Sequence, residues 1–283
     1  MKIFKFILIS ISVIFIFAGC CLFYAFKIEP YRLKVNEYNL NEKKTNTESV
    51  KIVQFSDIHV KEDFTFENLH KVVETINRQN PDIVIFTGDL YDNYAKYNDD
   101  ENIIAELKKI KAKYDKIAIW GNRDYGGGAV RKYEEIMSQS EFTLLKNENR
   151  YVTVENGRKI LFTGLDDSML GRVYMPDSTK IYDSDYDILL SHEPDKVVEY
   201  QDYNYNLALS GHSHGGQINI PFLPFINEKA VSMTSLSTKY VGGMYTVDSG
   251  DNNKMYVNTG IGTTHISARF GVVPEISVFN VYL

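Results

Sequence analysis

Hydrophobic and polar positions follow two different periods along the chain after residue 50. Short apolar runs at 51–55 and 82–86 predict buried strands, whereas apolar positions three or four apart over 66–78 predict an amphipathic helix. A second helix is predicted over 103–110 and a third strand over 116–120. This β-α-β-α-β order predicts parallel strands covered by helices.

The later half of the chain is richer in strands. Further strands are predicted at 151–154, 159–163, 187–190, 207–210, 217–220, 255–258 and 275–281. Two sheets packed together and flanked by helices accommodate this number of strands. Upstream, residues 32–40 alternate as an edge strand, and 45–49 form a connector.

The first thirty residues follow neither period. The 21 residues from Phe6 to Phe26 carry no charge, and as a helix they would span roughly 31 Å, about one hydrocarbon core. We expect an uncleaved signal-anchor; the alternatives are a lipoprotein signal at Phe17–Cys20 and a cleaved secretory peptide. The short basic terminus, with Lys2 and Lys5, favours a cytoplasmic amino end. The body is therefore expected on the extracytoplasmic face of the cell membrane, behind a single span.

Composition excludes several classes of protein. The 283 residues are 44% hydrophobic and 24% charged, which is typical of a globular chain rather than a disordered one. A net charge of −6 argues against a nucleic-acid partner held by bulk positive charge. The two cysteines, Cys20 and Cys21, are neighbours, so neither a disulfide framework nor a cysteine zinc site is expected.

Polar residues of metal-binding types follow the predicted strands. They form five clusters: Asp57–His59, Gly88–Asp92, Gly121–Asp124, Ser191–Glu193 and Gly211–Gly216. Open α/β sheets bind ligands at the carboxyl ends of their strands, so these clusters would converge on one site. Carboxylate, imidazole and amide groups without thiolates suit divalent first-row metals. Alternate residues of an extended strand share a face, so Asp57 and His59 can both face one ion, and the same geometry can present His212 and His214 to neighbouring ions.

Each cluster alone has an ordinary structural explanation, such as a turn or a cap beside a surface histidine. Their conjunction indicates a site, because four of the six histidines fall in the clusters. Of the other two, His70 is expected at the surface of a helix, and His265 is ambiguous. The apolar tract Phe222–Phe225 has two open interpretations: a packed segment, or one that dips into a bilayer or holds an acyl chain.

The ordered blocks resemble the calcineurin-like metallophosphoesterases. They are Asp57-x-His59, Gly88-Asp89-x-x-Asp92, Gly121-Asn122-x-Asp124, His192 and Gly211-His212-x-His214. The tail around Gly260–Thr263, Arg269 and Pro274-Glu275 is similar to a membrane-anchored bacterial branch of phosphodiesterases and pyrophosphatases. The resemblance implies an α/β fold, a four-layer αββα sandwich of two mixed sheets flanked by helices. It covers a metallophosphoesterase domain at 50–283, which follows the anchor expected at 1–29 and the connector with an edge strand expected at 30–49.

The resemblance also implies roles for single residues. Asp57, His59 and His214 would bind one divalent ion, and Asn122, His192 and His212 the other, with Asp89 as a catalytic bridge. Mn, Fe, Zn, Co and Ni all fit such ligands, with manganese as the working choice. A hydroxide between the ions would attack in line on a phosphodiester or pyrophosphate bond, with lipid- and nucleotide-linked substrates among the options. Asp92 and Asp124 would support the ligands, with a helix cap and a turn as the respective alternatives.

One position departs from the resembled pattern. The third block usually contains a histidine that protonates the leaving group, where this chain has Arg123. A guanidinium keeps its proton at neutral pH but can hold a phosphate oxygen. Arg123 therefore clamps the phosphate while another group supplies the proton, or the enzyme favours leaving groups that need no proton.

Two alternatives to an efficient enzyme stay open. In the first, the chain is a degenerate phosphoesterase that binds metal and phosphate esters with little turnover. In the second, it is a structural surface protein whose polar clusters are turns and caps.

Overall fold

Two six-stranded mixed sheets pack face to face in the computed structural model, which describes residues 2–41, 49–176, 183–203, 205–247 and 253–283. The first sheet has the spatial order β1 (Lys34–Leu40), β12 (Glu275–Tyr282), β2 (Ser49–Phe55), β3 (Ile83–Phe86), β4 (Asp115–Ile119) and β5 (Thr143–Leu145). The second has the order β10 (Gly243–Thr246), β11 (Lys254–Val257), β9 (Leu207–Ser210), β8 (Tyr186–Leu190), β7 (Lys159–Gly164) and β6 (Glu148–Thr153).

Most neighbouring strands are parallel, as the β-α-β order predicts. The antiparallel pairs are β12 with β2, β10 with β11, and β6 with β7. The α-helices are α1 (Lys2–Lys27), α2 (Phe66–Arg78), α3 (Asp100–Lys108), α4 (Asn122–Tyr125), α5 (Tyr133–Gln139) and α6 (Pro224–Val231). The predicted fold class, two mixed sheets with flanking helices, is confirmed.

Successive side chains of each strand point to opposite faces of its sheet, so the apolar residues form three separate cores. In β2, Ile52 faces the space between the sheets, whereas Val53 faces the helical side of the first sheet. In β8, Ile188 faces the intersheet core and Leu189 faces the outer side of the second sheet. A short 3-10 helix, Pro194–Tyr200, contributes Val197 to that outer core. The layers therefore stack as helix, sheet, sheet and a thinner helical cover.

The predicted strand at 217–220 is wrong. Ile218 makes a single parallel bridge to Phe270, because the backbone of Gln217 adopts a φ of 60° and leaves the extended region. The Gln217 amide instead donates to the carbonyls of Ile266 and Ala268, at 3.0 and 3.2 Å. Part of the predicted connector, 45–48, lies outside the described residues.

The apolar helix α1 is long and apolar enough to cross a membrane, by length and composition. Its end packs on the domain: Ala25 is buried, and the Tyr24 ring meets Phe270 edge-on with centroids 6.1 Å apart. The chain then enters β1, which pairs in parallel with β12 along the edge of the first sheet.

Candidate metal centre

The five polar clusters meet at the carboxyl ends of β2, β3, β4, β8 and β9. The first three strands belong to one sheet and the last two to the other, so the site lies where both sheets end. This is the convergence expected of open α/β sheets.

Asp57, His59 and His214 form the first group of possible metal ligands, and all three are buried. The Nε2 atoms of the two imidazoles are 3.0 Å apart. Asp57 Oδ1 lies 3.4 Å from His214 Nε2 and 3.6 Å from His59 Nε2. The three ligand atoms thus surround one small volume.

Asp89, His192 and His212 form the second group, also buried. His212 Nδ1 is 3.2 Å from His192 Nε2. Asp89 Oδ2 lies 3.4 Å from His192 Nε2 and also 3.4 Å from His59 Nε2 of the first group. Asp89 therefore connects the two groups through a single oxygen.

Two buried oxygens test whether these residues suit a cation. Oδ1 of Asp57 and Oδ1 of Asn122 are buried without a hydrogen-bond partner in the described part of the chain. An unpaired buried acceptor of this kind costs about 1–3 kcal/mol. Divalent cations would satisfy both oxygens and would separate the facing imidazole nitrogens. The donor set of oxygen and nitrogen atoms therefore fits a binuclear divalent metal centre.

Hydrogen bonds to backbone carbonyls fix the orientation of two histidines, and a carboxylate lies beside the outer nitrogen of a third. His192 Nδ1 lies 2.6 Å from the Thr87 carbonyl, and His212 Nε2 lies 2.7 Å from the Ser235 carbonyl. His59 Nδ1 lies 3.3 Å from Asp92 Oδ1. In each ring the other nitrogen is left facing the centre, which is the usual arrangement of metal-binding histidines.

Electrostatics favour the ligating forms of two of the three members of the first group. Although burial opposes it, the imidazoles of His214 and His59 hold the pKa of Asp57 well below its usual range. Burial lowers the pKa of His214 well below that of a free imidazole. An ionised carboxylate and a neutral imidazole are the forms that bind metal. In the third member, His59, burial opposes protonation, but the carboxylates of Asp57 and Asp92 raise the pKa of the imidazole.

The backbone around the ligands is strained. Five of the seven candidate ligands have left-handed φ angles: Asp57 (52°), His59 (49°), Asp89 (65°), His212 (66°) and His214 (51°). Each such residue costs on the order of 1–3 kcal/mol, and such strain concentrates at functional sites. Asp57 and His59 lie in one ligand group, and His212 and His214 lie in neighbouring groups, as expected. The extended backbone assumed for them is wrong, because tight left-handed turns direct these side chains.

Asp124 supports the turn backbone and reaches no histidine among the described residues. Its carboxylate accepts the backbone N–H groups of Asp89, Leu90 and Gly121, at 2.8, 2.9 and 2.9 Å. Burial, with the neighbouring Asp89 charge, raises the pKa of Asp124 to about 7. The geometry matches the turn-stabilising alternative.

Arg123 lies beside the centre. Its backbone N–H donates to Asp89 Oδ1 at 2.7 Å, and its Nη2 donates to Thr264 Oγ1 at 3.1 Å. Arg123, Asn122 and His265 line one open cavity of ≈ 170 Å³ together with ligands of both groups. A phosphate group in this cavity would meet the guanidinium.

The sequence did not predict that Arg269 lies beside the metal centre. It is fully buried, and its guanidinium donates to the carbonyls of Gly262, Thr259 and Gly260, at 3.0, 2.9 and 3.2 Å. Its Nη2 also lies 3.4 Å from His214 Nδ1. The only signal in the sequence was its position in the tail motif.

The fold and the paired ligand groups define a metal-dependent phosphoesterase. Residues 50–216, more than half of the chain, match the sequence model of the calcineurin-like phosphoesterases, so the chain belongs to this family. The resemblance inferred from the ordered blocks is thereby confirmed.

Three relatives illustrate the range of similar proteins. The metallophosphoesterase YkuE of Bacillus subtilis is 38% identical over 91% of this chain and 88% of its own length. A Campylobacter jejuni metallophosphoesterase, Cj0846, is 32% identical over 82% of this chain, which spans 59% of that relative. The UDP-2,3-diacylglucosamine pyrophosphatase LpxG of Chlamydia trachomatis is 27% identical over 89% of this chain and 90% of its own length.

Proposed function

We propose that this phosphoesterase holds two divalent ions and hydrolyses a phosphodiester or pyrophosphate bond. Asp57, His59 and His214 would hold one ion, and Asn122, His192 and His212 the other. The observation that carries the proposal is the single oxygen of Asp89 that lies 3.4 Å from both His59 and His192. That position suits a carboxylate shared by two cations.

Two such ions would supply Lewis-acid charge and lower the pKa of a bound water, which suits in-line attack by hydroxide. The chain's own residues would position the substrate. The Arg123 guanidinium, beside the cavity, would hold a phosphate oxygen, and its hydrogen bond to Thr264 limits the side chain's freedom. Asp92, at His59 Nδ1, would keep that ring aimed at the metal.

The leaving group follows from Arg123. Since a guanidinium gives up no proton at neutral pH, the preferred leaving groups are those that depart as stable anions, such as the phosphate half of a pyrophosphate. The similarity to a UDP-2,3-diacylglucosamine pyrophosphatase supports this choice, as well as a substrate that joins a nucleotide and a lipid. The same absence of a proton donor at Arg123 also supports a second candidate, a degenerate enzyme that binds phosphate esters and turns them over slowly.

We propose that α1 is a retained single-pass anchor, within the division into residues 1–29, 30–49 and 50–283. The Ala25 carbonyl and the Tyr24 ring are packed against Arg269 and Phe270. Cleavage near Cys20 would leave these contacts on the domain, so the proposal of a retained anchor rests on the uncharged run, which continues past Cys20 to Phe26. The short basic amino end supports an extracytoplasmic domain.

The test is activity and metal content of the full-length chain in detergent, loaded with Mn²⁺. Substrates are bis-(p-nitrophenyl) phosphate and a nucleotide diphospho-sugar. We expect two metals per chain, with turnover that falls by at least ~10²-fold in Asp89→Asn, because the shared carboxylate is lost. Exposed Asp202 provides the matched control, and Asp202→Asn should leave both values unchanged.

Each contrary outcome has a distinct meaning. Two metals without turnover on either substrate would favour the degenerate binding protein. Metal content near zero under all loading conditions would contradict the metal centre itself.

A further inference from the structure

Large apolar side chains are exposed along and around α6, and two of them lie beside the metal centre. We name this group the α6 patch, and it consists of Phe222, Leu223, Phe225, Met233 and Ile266. Phe222 is 99% exposed and Phe225 is 67% exposed, so of the two interpretations of this tract, the packed one is wrong. Exposed aromatic side chains in such a group are typical of a surface that meets another molecule or a membrane.

The α6 patch is tied to the segment on which the apolar helix ends. Asn219, three residues before Phe222, donates its backbone N–H to the Phe270 carbonyl at 2.7 Å, and Ile218 forms a parallel bridge with Phe270. The Phe270 ring in turn meets Tyr24 of α1. Two short links therefore connect the base of the patch to the end of α1.

The end of α1 carries the residues that mark a membrane surface. Tyr24 lies in the last two turns, Lys27 ends the helix, and Arg32 donates to the Tyr24 hydroxyl at 2.7 Å. Tyrosine and basic residues of this kind anchor a span at the boundary between lipid and water. Phe270 contacts Tyr24, so the segment that carries the patch begins at the level of this boundary.

The same patch borders the entrance to the metal centre. Met233 lines the cavity that contains Arg123 and His265. Met233 and Ile266 also line an adjoining cavity with His214 and His265. An apolar surface at this rim would place the mouth of the site against lipid rather than open water.

We propose that the α6 patch inserts into the interfacial layer of the bilayer that α1 crosses. The partner is a lipid surface, and the evidence is the continuity from α1 through Phe270 to the patch. The domain would then rest on the membrane by two contacts, one spanning and one interfacial. A phosphoester substrate embedded in that leaflet would reach the centre across Met233 and Ile266. The inference rests on the proposed anchor and does not depend on which bond is hydrolysed.

The experiment uses tryptophan as a depth probe in the full-length chain. The native tryptophan, Trp120, is 4% exposed and gives a constant background. Phe222→Trp and Phe225→Trp place the probe in the patch. Tyr203→Trp is the matched control, because this exposed ring lies just before β9, at the end of the strand opposite the metal centre. The proteins are reconstituted in equimolar phosphatidylcholine and phosphatidylglycerol, with and without brominated acyl chains.

We expect brominated lipid to reduce the emission of both patch variants several-fold more than that of Tyr203→Trp. Quenching no greater than in the control would overturn the proposal. A blue shift without bromine quenching, which fades when the protein is diluted in lipid, would show that a second copy covers the patch and would also overturn it.

Two checks separate this proposal from others. Intact mass of the reconstituted protein shows whether α1 is retained. The quenching needs no turnover, so failure of the proposed phosphoester chemistry would leave its result unaffected.

Discussion

The backbone N–H of Arg269 donates a 3.0 Å hydrogen bond to the carbonyl of Ala25. Through it, the end of the apolar helix is joined to a residue whose guanidinium lies 3.4 Å from the candidate ligand His214. The same guanidinium holds the carbonyls of the loop that follows β11. The end of α1 and the candidate metal centre are therefore parts of one packed unit.

Arg269→Lys should weaken metal binding. A lysine ammonium is a compact charge and cannot reproduce the planar set of donors that Arg269 offers to Thr259, Gly260 and Gly262. The loss of such a supporting group costs roughly 10–100-fold in metal affinity. Competition with a chelator measures this, and exposed Arg131→Lys serves as the control. Equal affinities of the two variants would show that Arg269 does not support the site.

Gly121→Ala should disrupt the centre, whereas Gly126→Ala should be tolerated. An added Cβ at Gly121 would overlap Asp89 Oδ1 and lie 2.8 Å from His192 Cε1. At Gly126 the nearest atom is Leu170 Cδ1 at 3.9 Å, and the backbone φ is −75°. We expect loss of bound metal in the first variant and near-native metal content in the second, by elemental analysis of dialysed protein. Full metal content in Gly121→Ala would mean that Asp89 can move without harm.

Most of the fold could be predicted because the signals are local. Apolar runs such as 82–86 and the helical spacing in 66–78 each identify an element without knowledge of the rest. The convergence of the five clusters follows from parallel strands alone. Strand β10, which runs antiparallel to β11, and helix α6 gave no comparable signal, since each is short and half-exposed.

The contacts that hold the site in place are non-local and were not predictable. The buried Arg269 is paired with backbone carbonyls and with the end of α1, across more than two hundred residues of sequence. Left-handed turns at Asp57 and His59 replaced the expected extended geometry, because sequence patterns carry little information on φ at single residues. For Asp124 the sequence left two roles open, support of a ligand or stabilisation of a turn. In the structure its carboxylate accepts hydrogen bonds from three backbone N–H groups.

Glu106→Gln should make stability less dependent on pH in the acid range. Burial opposes ionisation, but hydrogen bonds from Lys109 and His70 lower the pKa of Glu106 in the folded chain. Because the pKa of Glu106 is lower in the folded chain than in the unfolded chain, its ionised form stabilises the fold at pH values above the unfolded pKa. This stabilisation is lost as the pH falls through the pKa of the folded chain. We expect the variant to lose about 1 kcal/mol at neutral pH and to match the parent at strongly acid pH. Denaturant unfolding at several pH values measures this, and a constant difference at all pH values would contradict it.

Arg123→His should change which leaving groups the enzyme accepts. An imidazole beside Asp89 could give a proton to a departing alkoxide, which Arg123 cannot do, whereas a departing phosphate needs none. We therefore expect kcat/KM on an alkyl phosphodiester to rise by at least ~10-fold and to change far less on a nucleotide diphospho-sugar. The exposed substitution Arg131→Lys is again the control and should leave both rates unchanged. Metal content is measured on the same samples, so that a loss of bound metal is not mistaken for a loss of catalytic activity. Equal gains on both substrates would show that Arg123 does not set leaving-group preference, and a loss on both would identify the guanidinium as a group that the transition state needs whatever leaves.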